Sequence, residues 1–138
     1  MRKVQSLQLE VRIGKERVRG WSSRTNPLRI RSGRTALAFM PTKSAVRKTP
    51  AIAVYRIVPT IRLGRAVGRQ IAEVAATRAH AVRVPELALA GQPFSIRVLG
   101  VGPRLNASDE CCVTCDGTTA CGCKVEMSCG SCCSGGCC

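Results

Sequence analysis

The sequence predicts an α+β fold, with short strands, one amphipathic helix over about residues 64–83 and a small cysteine-rich β-hairpin at the C-terminal end. Apolar and polar residues alternate over 7–13 and again over 94–101, which is typical of strands with one buried face. Apolar residues also recur at three- and four-residue spacing over 64–83, which is typical of a helix. The pair Asp116-Gly117 stands between two alternating segments and favours a hairpin turn there.

The N-terminal elements follow from turn residues between alternating segments. Gly14 and Lys15 can turn the first strand into a second one near Arg17–Trp21, and Asn26-Pro27 precedes a third strand over 28–31. Residues 41–50 contain two prolines and three cationic side chains, which predicts a linker. Residues 52–63 are rich in β-formers, and Pro59 places that strand at an edge or a break.

The helix over 64–83 carries two faces. Its apolar face would consist of Val67, Ile71, Val74, Ala75 and Val82. The residues Arg62, Arg65 and Arg69 fall three and four apart on another face, and Pro85 prevents continuation. Since a basic helix can cross a phosphate backbone, these three arginines are the speculative nucleic-acid contacts. A plain surface helix is the alternative interpretation.

Charge divides the chain into two predicted parts, a basic arginine-rich region over 1–104 and a cysteine-rich module over 105–138. The first part holds 21 of the 22 Lys and Arg residues and only four of the eight acids. Such a cationic excess favours contact with a polyanion such as nucleic acid, although solvated arginines on a soluble protein have the same composition. Aromatic residues are few, so a second interpretation is that part of residues 1–104 does not form a stable fold.

All ten cysteines lie between Cys111 and Cys138, and this determines the predicted compartment. The sequence shows no secretory signal, and no apolar stretch approaches the ~18 residues of a transmembrane helix. We therefore expect a cytoplasmic protein, whose reducing surroundings favour thiolates bound to metal. If the cysteines form disulfides, a secreted protein is expected instead.

Two C-x-x-C pairs are the strongest metal-binding pattern. Four thiolates from two such pairs complete a tetrahedral zinc site. A two-residue loop at Asp116-Gly117 would also place Cys112 opposite Cys121, close enough to share a metal ion and slightly wide for an unstrained disulfide. The predicted ligands are Cys112, Cys115, Cys129 and Cys132, followed by Cys121 and Cys123 on one face of the second hairpin strand.

The mixture of Cys-Cys, Cys-x-Cys and Cys-x-x-Cys over residues 111–138 resembles metallothioneins, and the C-x-x-C spacing resembles zinc ribbons. These resemblances imply Zn²⁺, or Cu⁺, as the cofactor, because soft thiolates prefer soft ions. A long leader that ends in a short segment dense in Cys, Ser, Thr and Gly is also similar to precursors of ribosomally made, modified peptides. That second resemblance implies crosslinked cysteines.

Catalysis is not expected. A nucleophilic cysteine needs a base and an orienting group, and the single histidine, His80, lies in the other part of the chain. The sequence therefore predicts a small non-enzymatic protein that binds soft metal through its C-terminal cysteines, with a structural or buffering role. The alternatives are a precursor of a cysteine-crosslinked peptide and a basic nucleic-acid-binding protein with a zinc module. The sequence does not indicate an oligomeric state.

Overall fold

The computed structural model describes residues 6–24, 26–32, 35–43, 50–60, 65–75, 82–83, 94–102, 111–130 and 132–133. The described residues contain ten β-strands and no helix. Every strand pairing among them is antiparallel. The strands are β1 Ser6–Ile13, β2 Glu16–Ser22, β3 Leu28–Ser32, β4 Thr35–Lys43, β5 Pro50–Thr60, β6 Arg65–Ala75, β7 Val82–Arg83, β8 Phe94–Gly102, β9 Cys111–Cys115 and β10 Thr118–Met127.

Strand β10 lies at the centre of a single curled sheet. The strand order is β6-β5-β4-β3-β10-β2-β1-β8-β7, and β9 pairs with β10 off this path. The first half of β10 pairs with β3 and β9, and its second half pairs with β2. Because β2 and β3 follow each other along β10, the C-terminal strand joins a half-sheet of β1, β2, β8 and β7 to a half-sheet of β3 to β6.

A β-bulge bends β10 where it changes partner. The register with β2 gains one residue between Cys123 and Glu126, and Lys124 within this interval has a φ of +51°. A bulge with a residue in the left-handed region bends and twists a strand, so the two half-sheets can fold toward each other. Gly122 allows the backbone of β10 to lie close to β3 here, since a Cβ on it would lie 3.3 Å from the Cα of Leu28.

The inner face of the curled sheet forms one core. Alternate residues of β1 lie on it, and Phe39 of β4 is fully buried there. Val74 of β6 and Ile96 of β8 belong to the same apolar cluster although their strands lie near opposite ends of the sheet order. A single sheet can bury one face in this way only if it curls, because a flat sheet exposes both faces.

The predicted helix over 64–83 is wrong, and with it the α+β class: the described protein is all β. Residues 65–75 form β6, which pairs with β5, and Val82–Arg83 form β7. The register of β6 skips Ile71, which is a bulge. Since a bulge reverses the alternation of faces, Ile71 and Val74 both contact the core although they are three residues apart. Apolar residues three apart on one face are also what an amphipathic helix shows, so the spacing alone does not distinguish the two.

The strands predicted from alternation over 7–13, near 17–21, over 28–31 and over 94–101 are confirmed as β1, β2, β3 and β8. The linker predicted over 41–50 is wrong at both ends, because β4 continues to Lys43 and β5 begins at Pro50; residues 44–49 lie outside the described part of the chain. Pro59 lies within β5, beyond the part that pairs with β4, and its one partner strand there is β6. That placement agrees with the missing amide hydrogen of proline.

A close contact at the end of β8 gives the first test of this packing. A Cβ on Gly102 would overlap the ring of Trp21 and the hydroxyl of Ser6, whereas a Cβ on Gly100 would meet only Gln8 Oε1, at 3.7 Å. We expect Gly102→Ala to lower the free energy of unfolding by about 1–3 kcal/mol through overpacking. Gly100→Ala is the matched control and should be neutral. Thermal unfolding followed by Trp21 fluorescence measures both, and equal stability of the two variants would contradict the packing.

Candidate functional site

The hairpin of β9 and β10 has the predicted two-residue turn. Asp116 and Gly117 have φ values of +48° and +79°, as a type I′ turn requires. Cys115 pairs with Thr118 and Cys112 pairs with Cys121, which confirms the register expected from the sequence. The turn therefore fixes which cysteine sulfurs can meet across the two strands.

The structure joins Cys112 to Cys121 by a disulfide, with 4.1 Å between the Cα atoms. The sequence favoured a shared metal ion for this pair, and in the disulfide neither sulfur is a thiolate. Cys112 is exposed and Cys121 is half-buried, on the outer face of the sheet. Arg29 of β3 lies directly opposite Cys121 on the same face. This crosslink therefore connects strands that the turn already holds together.

The second disulfide, between Cys115 and Cys129, spans the bend of β10. Cys115 precedes the hairpin turn, and Cys129 follows the far end of β10, with 6.3 Å between their Cα atoms. Cys115 is only 5% exposed and belongs to the core cluster. A turn at Gly130, whose φ is +89°, follows β10. This disulfide therefore ties β9, which pairs with the first half of β10, to the residues that follow its second half.

The six predicted metal ligands do not form one group in the structure. Cys112 and Cys115 are three residues apart on a strand and lie on opposite faces of the sheet. Cys123 is buried and disulfide-bonded. Cys132 is exposed, carries a free thiol and lies beside Glu126 in an isolated bridge. The structure thus brings together two of the pairs, 112 with 121 and 115 with 129.

Two carboxylates accompany the Cys115–Cys129 disulfide. Oxygens of Glu16 and Asp116 and the sulfur of Cys115 all lie within 4.8 Å of one another. Glu16 begins β2 and accepts a hydrogen bond of 2.8 Å from the hydroxyl of Ser128. We call Glu16, Cys115, Asp116 and Cys129 the mouth cluster; it lies where the β9–β10 turn and the residues that follow β10 meet the start of β2. Cysteine spacing does not indicate Glu16, which lies 100 positions before Asp116 in the chain.

The outer face of the sheet is rich in arginines. In the half-sheet of β1, β2 and β8, Arg12 lies directly opposite Arg17, and Arg97 and Arg19 lie on either side of Glu10. On β3 the outward residues are also arginines. We call this surface the arginine face; it consists of Arg12, Arg17, Arg19, Arg29, Arg31 and Arg97.

Glu10 is the acidic centre of the arginine face. Its carboxylate lies 3.3 Å from Arg12 Nε and 3.4 Å from Arg19 Nη2, and its side chain is only 6% exposed. Within the described residues these are the ion pairs, and Glu126 is the other glutamate on this face, opposite Arg19. Arg17 and Arg97 are exposed beside this centre, and Arg31 is exposed on β3. The face therefore keeps a net positive charge.

The arginines that the sequence analysis proposed for nucleic acid occupy other places. Arg65 and Arg69 belong to β6, so they do not lie on a helix face, and Arg62 lies outside the described residues. Arg69 is exposed and lies opposite Arg56 of β5, away from the arginine face. Alternation along β1, β2 and β3, with arginine at the outward positions, is the signal that could have identified the arginine face.

Among the described residues, none belongs to a helix long and apolar enough to span a membrane. Comparisons of the chain with protein-family models, with curated proteins and with solved structures find no significant match.

Proposed function

We propose that this is a non-enzymatic, disulfide-crosslinked β protein that binds a linear polyanion, such as the phosphate backbone of nucleic acid, on its arginine face. The observation that carries the proposal is the outward alternation that places six arginines and two glutamates on one face. The chain as a whole supports it with a formal net charge of +14. Long-range attraction from such a charge favours association with polyanions.

The opposed arginines of β1 and β2 give the proposal its residue-level support. Like charges directly opposite each other destabilise an antiparallel pair, so the Arg12–Arg17 pair lowers the stability of the sheet. A phosphate between the two guanidinium groups would remove this repulsion and accept hydrogen bonds from both. Binding would therefore relieve a cost that the free protein bears.

Backbone contacts position a nucleic acid without selecting its sequence. On the half-sheet of β1, β2 and β8, the outward positions include Gln8, Glu10, Trp21 and arginines, with no row of aromatic rings on which successive bases could stack. We therefore propose binding with little base preference. The disulfides support the secreted alternative for the compartment, because crosslinks of this kind persist in oxidising surroundings.

A pair of matched charge variants tests the proposal. We expect Arg17→Gln/Arg97→Gln to weaken binding to single-stranded DNA and to lower the slope of log K against log salt by about 1.4, since each lost phosphate contact removes about 0.7 on a single strand. The matched control, Arg56→Gln/Arg69→Gln, removes the same charge from exposed positions elsewhere. Fluorescence anisotropy over a salt series measures both, with heparin as a competitor.

Equal loss in the two double variants would show that net charge alone causes binding, and the assignment to the arginine face would then be wrong. Binding that does not depend on salt would contradict the proposal altogether. Preference for heparin over DNA at equal charge would assign the face to sulfated chains, and the phosphate version would then be wrong.

A further inference from the structure

We propose that the mouth cluster is a redox-gated zinc site. Its ligands would be the thiolates of Cys115 and Cys129 and the carboxylates of Glu16 and Asp116. The site would form only after the Cys115–Cys129 disulfide is reduced. This inference concerns the inner side of the sheet and does not depend on polyanion binding by the arginine face.

The positions of the donor atoms carry the proposal. Glu16, Cys115 and Asp116 already offer donors within 4.8 Å of one another, and the Cys129 sulfur is bonded to that of Cys115. A tetrahedral ion with bonds of about 2.0–2.3 Å separates its donors by about 3.3–3.8 Å. The two sulfurs must therefore move apart, and the carboxylates need to approach by at most about 1.5 Å. The ligands come from the start of β2, the β9–β10 turn and the residues after β10. At these strand ends and turns, side-chain rotation can provide the shifts.

The charge around these carboxylates is the second observation. The chain has 22 Lys and Arg residues but only eight acids, so most acids should have a cationic neighbour. Glu10 does, but no Lys or Arg of the described residues forms an ion pair with Glu16 or Asp116. Two carboxylates side by side repel each other unless a cation lies between them. The arrangement thus favours a cation, and the sulfurs select a soft one.

The redox step balances with a dithiol reductant. One thiolate of the reductant attacks the exposed Cys129 sulfur, the bond to Cys115 breaks, and the Cys115 sulfur leaves as a thiolate that takes a proton. The second thiol of the reductant resolves the mixed disulfide, so the reductant becomes a disulfide and Cys129 becomes a thiol. Zn²⁺ then replaces the two thiol protons, which are released to solvent. In the oxidised form the sulfurs are poor ligands, and zinc binding is lost.

Isosteric variants of the carboxylates test the ligand set in the full-length protein. Glu16→Gln and Asp116→Asn keep the side-chain shapes, and asparagine also accepts the left-handed conformation of residue 116. We expect each variant to bind Zn²⁺ at least tenfold more weakly than the wild type after reduction with dithiothreitol, measured by competition with a chelating dye. The matched control is Glu126→Gln, an exposed glutamate on the outer face, which should bind as the wild type does.

A second readout follows the disulfide itself. Because zinc binds only the reduced form, zinc at ten times its Kd should shift the reduction equilibrium of Cys115–Cys129 about tenfold toward the thiols. Thiol alkylation and peptide mass mapping measure this shift, and the Cys112–Cys121 disulfide in the same sample should shift less than twofold. Circular dichroism of each variant verifies that it is folded before zinc is added.

Equal zinc affinity in the wild type, Glu16→Gln and Asp116→Asn would exclude the carboxylates as ligands and overturn the proposal. Zinc binding to the unreduced protein with the same affinity would overturn the redox gate. A larger zinc-dependent shift at Cys112–Cys121 than at Cys115–Cys129 would assign the metal to the outer face, and the proposed site would be wrong. None of these results affects DNA binding, so failure here is distinct from failure of the proposed function.

Discussion

Ala120→Asp should destabilise the whole protein, including the N-terminal strands, by about 3–5 kcal/mol. Ala120 is fully buried on the inner face of β10, where it lies between Ile30 of β3 and Val113 of β9. An aspartate there would bury a charge without a partner, which costs about that amount. The free energy of unfolding of a small domain is about 5–15 kcal/mol, so the variant could lose most of its folded population.

The matched control is Thr119→Asp on the same strand. Thr119 points to the outer face, where it lies opposite Arg31 and exchanges a hydrogen bond of 2.9 Å with Thr114. An acid at this position remains near solvent and faces a cation, so we expect a change within about 1 kcal/mol. The two variants have the same new residue and differ in the face that carries it.

The location of the probe makes this experiment a test of topology. Trp21 is the single tryptophan and lies on β2, in the part of the chain that precedes the cysteines. If β10 is a central strand, the unfolding midpoint reported by Trp21 must fall in Ala120→Asp as much as the midpoint from circular dichroism. A Trp21 transition that stays at the wild-type denaturant concentration would show that the C-terminal hairpin folds separately, and the sheet order described above would be wrong.

Local patterns predict the parts of this fold that local physics determines. Asp116-Gly117 fixes a turn type, the turn type fixes the register, and the register places Cys112 opposite Cys121; each step needs only neighbouring residues. The alternation of β1 is equally local, because one face is buried and the other is not. Such local patterns therefore predict the hairpin and five further strands, β1, β2, β3, β5 and β8.

Long-range pairing is where such patterns fail. The bulge at Ile71 shifts the apolar phase of β6, and no short window can distinguish that shift from a helical period. Glu16 and Asp116 meet because β10 pairs with β2 and then bends at Lys124, and this contact joins residues 100 positions apart. The mouth cluster is a property of the curled sheet, so its carboxylates could not be predicted from cysteine spacing.

The Cys112–Cys121 and Cys115–Cys129 disulfides should contribute unequally to stability, although the loops that they close are similar. The Cys115–Cys129 loop has a sequence separation of 14 and the Cys112–Cys121 loop one of 9. The lowered conformational entropy of the denatured chain alone predicts a stabilisation of about 3.0 kcal/mol for the longer loop and about 2.6 kcal/mol for the shorter one. Residual structure in the denatured chain makes the difference between the two disulfides larger than these figures. An Asp-Gly turn already favours the proximity of Cys112 and Cys121 before folding, so their crosslink removes less entropy.

We therefore expect Cys115→Ala/Cys129→Ala to lose about 3–4 kcal/mol and Cys112→Ala/Cys121→Ala about 1–2 kcal/mol. The larger figure includes the apolar contacts of Cys115 in the core, where it is 5% exposed. Urea titration under non-reducing conditions measures both midpoints, and unchanged m-values verify that the two variants unfold as the wild type does. The same titration in dithiothreitol, without zinc, is the control, since the wild type should then lose most of its advantage over each variant.

The order of the two effects is what the curled sheet requires. Cys112 and Cys121 crosslink strands that hydrogen bonds already pair, whereas Cys115 and Cys129 connect β9 to the residues after β10, across the bend of β10. Equal losses would mean that the bend is stable without the crosslink, and that the core alone holds the half-sheets together. A larger loss for the outer pair would mean that Cys115 and Cys129 are not joined in the folded protein, and the mouth cluster would then lack its sulfur pair.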